Sequence, residues 1–355
     1  MRNVKILLLI LSLFMPLTHT LGQATTNRDT AVAKRAAELL AKMTLDEKIG
    51  QLNQLFYLSQ FMKPEMMDAG IRDGKIGSLL FVIDPATINR FQKVAVEQSR
   101  LKIPLLFGFD VIHGFRTVFP VPLAMASSWD PALVERAQTI AAREARAVGV
   151  RWTFAPMVDI ARDPRWGRIV EGAGEDPFLG ARIAAAQVRG FQGQDPASPG
   201  RLLACMKHFA GYGAAAGGRD YDAAYISDAE LYNVYLPPFK AAVDAGVGSA
   251  MSAYMDLNDV PATGNAFLLR DVLRNQWGFK GFVVSDADAV VNLVTHGFAE
   301  DKADAALRAL TAGVDMEMSI PAGISNAYSS SLANHVQEGR VTKAHLDEAV
   351  RRVLE

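Results

Sequence analysis

The feature that most constrains the fold of this chain is an alternation of short apolar runs with longer segments of helical character. The runs are apolar at nearly every position rather than at every second one, which predicts strands buried on both faces. A helical segment between two such strands predicts a parallel crossover unit. The seven runs cover residues 77–83, 104–110, 152–159, 202–209, 248–254, 281–286 and 313–319.

This alternation predicts the α/β class and a (β/α)8 TIM-like barrel, with an irregular eighth strand near the N-terminus. A doubly wound sheet is the alternative, but such a sheet gathers its chemistry at one switch point, usually beside a glycine-rich phosphate turn. The segment Gly211-Tyr212-Gly213 lacks the third glycine of that turn. In a barrel, many strands deliver polar residues to one end. Such residues stand where the runs end, as Asp110, Asp159, Lys207, His208, Tyr254 and Asp286.

Four helix starts carry capping signals. Two are capping boxes, in which each side chain bonds the free backbone N–H of the other residue. Two are Asp-Pro pairs, in which the aspartate caps the helix and proline occupies the first turn, where a missing N–H costs nothing. The boxes are Thr44 with Glu47 and Ser227 with Glu230, and the pairs are Asp130-Pro131 and Asp176-Pro177.

Composition excludes several classes of function. The 355 residues include 37 Lys and Arg against 38 Asp and Glu, so the net basic charge typical of nucleic-acid binding is absent. The single Cys205 excludes an internal disulfide and a multi-cysteine zinc site. No two of the six histidines form the i, i+4 pair of a zinc helix, and no Gly-x-Ser-x-Gly elbow occurs. We therefore expect carboxylate chemistry without a metal or cofactor.

The N-terminal segment has the three parts of a secretory signal. Two basic residues, Arg2 and Lys5, precede an apolar run over residues 6–17, and small residues stand before a cleavage site after Ala24. A run of this length is shorter than the roughly 20 residues of a membrane-spanning helix, although an uncleaved anchor is the alternative. We predict a signal peptide at 1–24, one barrel domain at 25–355, and a periplasmic or secreted protein that does not stay on the membrane.

One strand-end carboxylate is the first candidate for the chemistry. Asp286 follows a buried apolar run, so a rigid element would hold it as a nucleophile or base, or simply as a helix cap. Lys207, His208 and Arg168 could donate hydrogen bonds to sugar hydroxyls, and Asp110 could accept them. The alternatives are that Lys207 and Arg168 form structural salt bridges and that His208 is a core residue.

Several motifs of this chain resemble glycoside hydrolase family 3, and within it the periplasmic β-glucosidase group. The resemblance covers the chain from about residue 33 to its end, and its motifs are specific. The motifs are Arg162-Asp163-Pro164-Arg165-Trp166-Gly167-Arg168, Gly174-Glu175-Asp176-Pro177, Lys207-His208-Phe209, Gly217-Gly218-Arg219-Asp220-Tyr221, Asn275-Gln276-Trp277-Gly278-Phe279 and Gly281-Phe282-Val283-Val284-Ser285-Asp286.

The resemblance implies a retaining β-glycosidase of the β-glucosidase type, with Asp286 as the catalytic nucleophile. It also implies that Trp166 packs the wall of the substrate pocket. Ala287 departs from the family, because many members have an aromatic residue directly after the nucleophile. The substrate-binding residues that the resemblance implies are Asp110, Arg168, Lys207, His208 and Tyr254.

The resemblance leaves the proton donor outside this sequence. In two-domain members, an acid/base glutamate comes from an α/β sandwich domain that follows the barrel, whereas this chain ends inside a helical pattern. We therefore expect the N-terminal barrel of a longer protein. One alternative is a single-domain β-N-acetylhexosaminidase, but its loop histidine is missing, since no histidine stands between His208 and His296. Another is a sugar-binding barrel without catalysis.

Overall fold

The computed structural model describes residues 29–320 and 326–355. Eight parallel strands lie in the order β8-β1-β2-β3-β4-β5-β6-β7, which confirms the predicted (β/α)8 barrel. The ring closes where Val284, at the end of β7, bridges Met316, just before β8. The strands are β1 (Asn53–Phe56), β2 (Ser78–Leu80), β3 (Leu106–Phe109), β4 (Trp152–Thr153), β5 (Leu203–Phe209), β6 (Ser249–Ser252), β7 (Phe282–Val284) and β8 (Glu317–Ser319).

The strand missing from the sequence prediction is β1, and its residues explain why. Its first half consists of two amides, Asn53 and Gln54, so no apolar run marks it. Both amides are fully buried, and each donates a hydrogen bond that compensates for the loss of water. Asn53 Nδ2 donates to the carbonyl of Lys75 at 3.0 Å, and Gln54 Nε2 donates to Ser78 Oγ at 2.7 Å. The eighth strand therefore lies near the N-terminus, as predicted.

Helices surround the barrel, and the capping signals mark their starts. Asp130 and Asp176 accept from the backbone N–H three residues on, and the box at Thr44 forms in both directions. At Ser227 only half of the box forms, because the Glu230 carboxylate pairs with Arg162. The α-helices span 29–40, Leu45–Gln51, Glu65–Arg72, Pro85–Lys93, Pro122–Ala126, Pro131–Val148, Pro177–Gln192, Asp228–Glu230, Pro237–Asp244, Ala289–Thr295, Lys302–Ala312, Ala327–Gln337 and Lys343–Leu354, with π-helical segments at Val94–Gln98, Leu231–Tyr235 and Phe267–Gln276.

Large side chains fill the inside of the barrel. Trp152 packs against Phe154 and Phe282 with ring centroids 4.6 Å and 5.0 Å away, and its indole N–H donates to Ser249 Oγ at 2.8 Å. Met251 belongs to the same buried cluster. Because the interior is packed, as in other barrels of this type, any substrate must bind at its end.

A buried ion cluster ties the last helix, Lys343–Leu354, to the barrel. Asp315 is fully buried just before β8, and Oδ2 accepts from Arg274 Nη2 at 2.6 Å and from the backbone N–H of Val283 at 2.8 Å. Its Oδ1 accepts from Arg352 Nη1 at 2.8 Å. Arg352 lies in the last helix and also pairs with Glu348. One carboxylate thus joins two cations from distant parts of the chain.

The predicted signal peptide at 1–24 lies outside the described residues. Across 29–320 and 326–355, no helix combines the length and the apolar character needed to cross a membrane.

Candidate active site

All six residues that the sequence predicts for the site line one cavity of about 210 Å³. Each belongs to, or follows, a strand at the C-terminal end of the barrel, where sites of this fold occur. Four consecutive strands and their following loops supply five of the residues, and β7 supplies the sixth. They are Asp110 after β3, Arg168 after β4, Lys207 and His208 in β5, Tyr254 after β6, and Asp286 after β7.

Asp286 lies near the floor of this cavity and is only 9% exposed. Its Oδ1 accepts from the backbone N–H of Ala287 at 2.7 Å, and its Oδ2 is 3.5 Å from His208 Nε2. Burial raises the pKa of Asp286, while Lys207, the N–H of Ala287 and Arg168 act in the opposite direction. The nearby positive charges therefore favour the carboxylate form that a nucleophile needs.

Lys207 supplies one of these positive charges. Its Nζ is 3.0 Å from Asp110 Oδ1, and the residue is 4% exposed. Burial acts to lower the pKa of Lys207, but attraction to Asp110 and Asp286 outweighs it, so the pKa is raised. The side chain is therefore a permanent cation at neutral pH, held between two carboxylates.

His208 is a neutral, oriented imidazole. Asp159 Oδ2 accepts the backbone N–H of His208 at 2.8 Å and lies 2.9 Å from its Nδ1. Arg168 Nη2 lies 3.1 Å from Nε2. Because a guanidinium can only donate, we assign the lone pair to Nε2 and the proton to Nδ1. Burial, with Arg168 and Lys207, lowers the pKa of His208 well below its usual value.

Arg168 is fixed by a carboxylate and an aromatic ring. Its Nε and Nη2 donate to the two oxygens of Glu171 at 2.8 Å and 3.1 Å, and its guanidinium lies 5.5 Å from the centre of the Tyr212 ring. Burial acts to lower the pKa of Arg168, but Glu171 more than offsets it. The salt-bridge alternative is therefore realised for Arg168 and for Lys207, and both cations still line the cavity.

Trp166 and Tyr254 support the surroundings of the cavity through their own hydrogen bonds. Trp166 is buried, donates to Asp220 Oδ1 at 2.8 Å, and packs edge-on against Tyr212 at 5.3 Å, so it lies behind the cavity wall. The hydroxyl of Tyr254 donates to the carbonyl of Ala287 at 2.9 Å. Tyr254 thus braces the segment that carries Asp286.

Sequence reasoning missed Asp159 as a positioning residue, although it identified this aspartate as a strand-end polar group. The sequence does not show which residue Asp159 contacts, because its partner His208 lies 49 residues further along the chain. Burial raises the pKa of Asp159 to about 7. The sequence analysis also did not place Phe81 or Tyr221 in the site, although Tyr221 ends one of the quoted motifs, and both line the cavity beside the predicted residues.

No metal centre accompanies the site in the part of the chain that the structure describes, since no three His, Cys, Asp or Glu side chains are grouped to hold an ion. The arrangement instead offers one buried carboxylate, two cations and a neutral imidazole around a small cavity. Chemically, it can bind a polyol and direct a carboxylate oxygen at it.

Curated proteins with related sequences are glycosidases. The chain is 45% identical over 317 residues to a periplasmic β-glucosidase of Salmonella typhimurium, covering 89% of this chain and 41% of that protein. It is 35% identical over 363 residues to a β-xylosidase of Formosa agariphila, covering 98% of this chain and 45% of that protein. The chain therefore spans less than half the length of either relative.

Solved structures agree with this relationship. A β-glucosidase from Listeria innocua in complex with isofagomine superposes with a TM-score of 0.84 at 40% identity, covering 90% of this chain and 45% of that one. A mutant β-glucosidase from the same organism, in complex with laminaribiose, gives a TM-score of 0.84 at 39% identity, covering 90% and 46%. The pattern of the Glycosyl hydrolase family 3 N terminal domain matches residues 44–355. This chain therefore belongs to glycoside hydrolase family 3, and its barrel is the N-terminal domain of that family.

Proposed function

We propose that this chain is the nucleophile-bearing barrel of a retaining β-glycosidase that releases terminal glucose from β-glucosides and β-linked oligosaccharides. The observation that carries the proposal is Asp286, a buried carboxylate that lines a cavity shared with Lys207, His208 and Arg168. Relatives named β-glucosidase support glucose as the sugar.

In the proposed reaction, a carboxylate oxygen of Asp286 attacks the anomeric carbon of the bound sugar. The bond from that carbon to the leaving oxygen breaks, and a glycosyl ester of Asp286 forms. Water then attacks the same carbon and gives a proton to the group that had protonated the leaving oxygen, the ester oxygen leaves as the carboxylate, and the sugar departs with its original configuration. The residue must be ionised for the first step, which Lys207 and Arg168 favour.

The other cavity residues would hold the sugar. Lys207 has ammonium protons beyond the one directed at Asp110, and Asp110 has a second oxygen that can accept from a hydroxyl. Arg168 lines the same cavity, and its Nη1, which makes none of the bonds to Glu171 or His208, can donate to a hydroxyl. Donors and acceptors therefore alternate around the cavity, which suits neighbouring hydroxyls on a pyranose ring.

A retaining reaction also needs a proton donor about 5–5.5 Å from the nucleophile. Of the described carboxyl groups, those lining the cavity are Asp110 and Asp286, and Asp110 is paired with Lys207 at 3.0 Å. We propose that the donor is a glutamate of a further domain, since the curated relatives are more than twice as long. We also propose export to the periplasm or the exterior, supported by the pattern of residues 1–24 and by the printed name of one relative.

A sugar-binding barrel without catalysis is the second candidate. It is favoured by the same observation, that the cavity holds no free second carboxyl among the residues described. Both candidates predict that glucose binds. Only the enzyme predicts a covalent bond between sugar and protein.

Trapping with a dinitrophenyl 2-deoxy-2-fluoro-β-glucoside tests the proposal, because its good leaving group needs no proton donor. We expect peptide mass spectrometry to find the fluoroglucosyl group on Asp286. Asp286→Asn should abolish labelling. Asp288→Asn is the matched control, because Asp288 is the next carboxylate along the chain and does not line the cavity. A label on another residue would overturn the nucleophile, and glucose binding without any label would favour the binding function.

A further inference from the structure

Two aromatic side chains stand at the mouth of the cavity, above its polar floor. Phe81 is 36% exposed and Tyr221 is 57% exposed, whereas Lys207 and His208 are 4% and 1% exposed. All four line the same cavity. Phe81 follows β2 and Tyr221 lies in the segment after β5, so they approach from different sides of the barrel. A ligand that leaves the floor passes these rings.

The backbone of Phe81 is held in an unusual conformation. Its φ is +70°, a left-handed value that bulky residues rarely adopt and that glycine adopts without cost. Its N–H donates to the carbonyl of Gly108, beside the end of β3, at 3.3 Å. Strained positions of this kind concentrate at ligand sites, where the surrounding structure holds them.

The ring of Phe81 is fixed by two neighbours. It packs edge-to-face against Phe56 at 5.2 Å and against Phe109 at 5.9 Å between ring centroids. These contacts set the plane of the ring while a third of the side chain stays exposed at the cavity. An ordered apolar surface above a polar floor suits the apolar face of a sugar or aryl ring.

We propose that Phe81 is a specificity-determining residue that stacks on the leaving group, the unit beyond the scissile bond. This inference rests on the proposed function, because Asp286 at the floor fixes the position of the anomeric carbon. The leaving group then points from the floor towards the mouth. Ala287, directly after Asp286, offers only a methyl group there, so Phe81, with Tyr221 on another side, provides the aromatic surface.

Calorimetric titration with glucose and with cellobiose tests this role, in chains that carry Asp286→Asn so that no turnover occurs. Phe81→Gly removes the ring and suits the backbone. We expect it to weaken cellobiose binding about tenfold, or about 1.4 kcal/mol, and to leave glucose binding unchanged. Phe81→Tyr keeps the ring and should keep both affinities. Phe178→Ala is the matched control, since Phe178 is an exposed phenylalanine outside the cavity.

Two results would overturn the stacking role. One is an unchanged affinity of Phe81→Gly for cellobiose, and the other is an equal loss of affinity for glucose and cellobiose, which would place the ring against the first sugar. If the parent chain binds both sugars in either case, only the stacking role fails, and the labelling of Asp286 still decides the proposed function. If the parent chain binds neither sugar, the proposed function fails and this inference fails with it.

Discussion

Removing the charge of Asp315 should destabilise the barrel far more than removing an exposed carboxylate. In Asp315→Asn, the single amide oxygen can replace Oδ2 and keep the bonds from Arg274 and Val283. The amide NH₂ then faces the Nη1 donor of Arg352, which loses its acceptor. Losing one partner of a buried ion pair costs about 3–5 kcal/mol. We expect the lower end, about 3 kcal/mol, because Arg352 keeps its pair with Glu348.

Urea titration followed by circular dichroism measures this change in the free energy of unfolding. The control is Asp244→Asn, which breaks an exposed pair with Lys240 and should cost about 0.5 kcal/mol or less. The double variant Asp315→Asn/Arg352→Gln should lose less than the sum of its single variants, because the two residues interact directly. An Asp315→Asn loss no larger than that of the control would refute the argument that this carboxylate joins the last helix to the barrel.

Two further predictions concern the leaving group and pH. Because the cavity residues offer no free proton donor, we expect kcat/KM for a dinitrophenyl β-glucoside to exceed that for cellobiose by at least about 10²-fold, and similar values for both would contradict this. Burial raises the pKa of Asp159 and of Glu317 to about 7, from 3.8 and 4.5, so the folded chain favours their protonated forms. The contribution of these two groups to the free energy of unfolding should therefore fall as pH rises from about 4 through 7, by at most about 1.4 kcal/mol per pH unit for each group. Buried His208, whose pKa is lowered, contributes the opposite slope, so the test compares two variants. Urea titrations from pH 5 to 8 measure the slope in the parent chain and in Asp159→Asn, which should lose the falling contribution of Asp159, and the same slope in both chains would refute the shift of Asp159.

The barrel could be predicted because its signals are local. A continuous apolar run that ends in a polar residue specifies both a buried strand and the end at which its chemistry lies, as at Asp286. Asp110, Lys207 and His208 follow the same rule, so a single regularity brought them together before any contact was known. The sequence did not reveal β1 because its buried amides, Asn53 and Gln54, donate to partners that are not adjacent in sequence.

The rest of the site depends on contacts between distant residues. Asp159 orients His208 because Met157 and Lys207 pair across β4 and β5, and no local pattern records that register. The two cations that surround Asp315 lie 41 and 37 residues away along the chain. In the sequence, Phe81 is part of a continuous apolar run. Only the structure shows that the backbone after β2 places its ring at the cavity rather than in the core.

The amino-acid sequence alone therefore determined the barrel class, the end of the barrel that carries the site, and five of the six polar residues gathered there. These follow from hydrophobic periodicity and from where each run stops, which are properties of neighbouring residues, whereas Arg168 ends no run and its place in the site was implied by the resemblance of its motif. Tertiary structure decided the protonation of His208, the ion pairs of Lys207 and Arg168, and the exposure of Phe81. Each of these depends on burial and on distances between separate strands, and such distances exist only once the barrel closes.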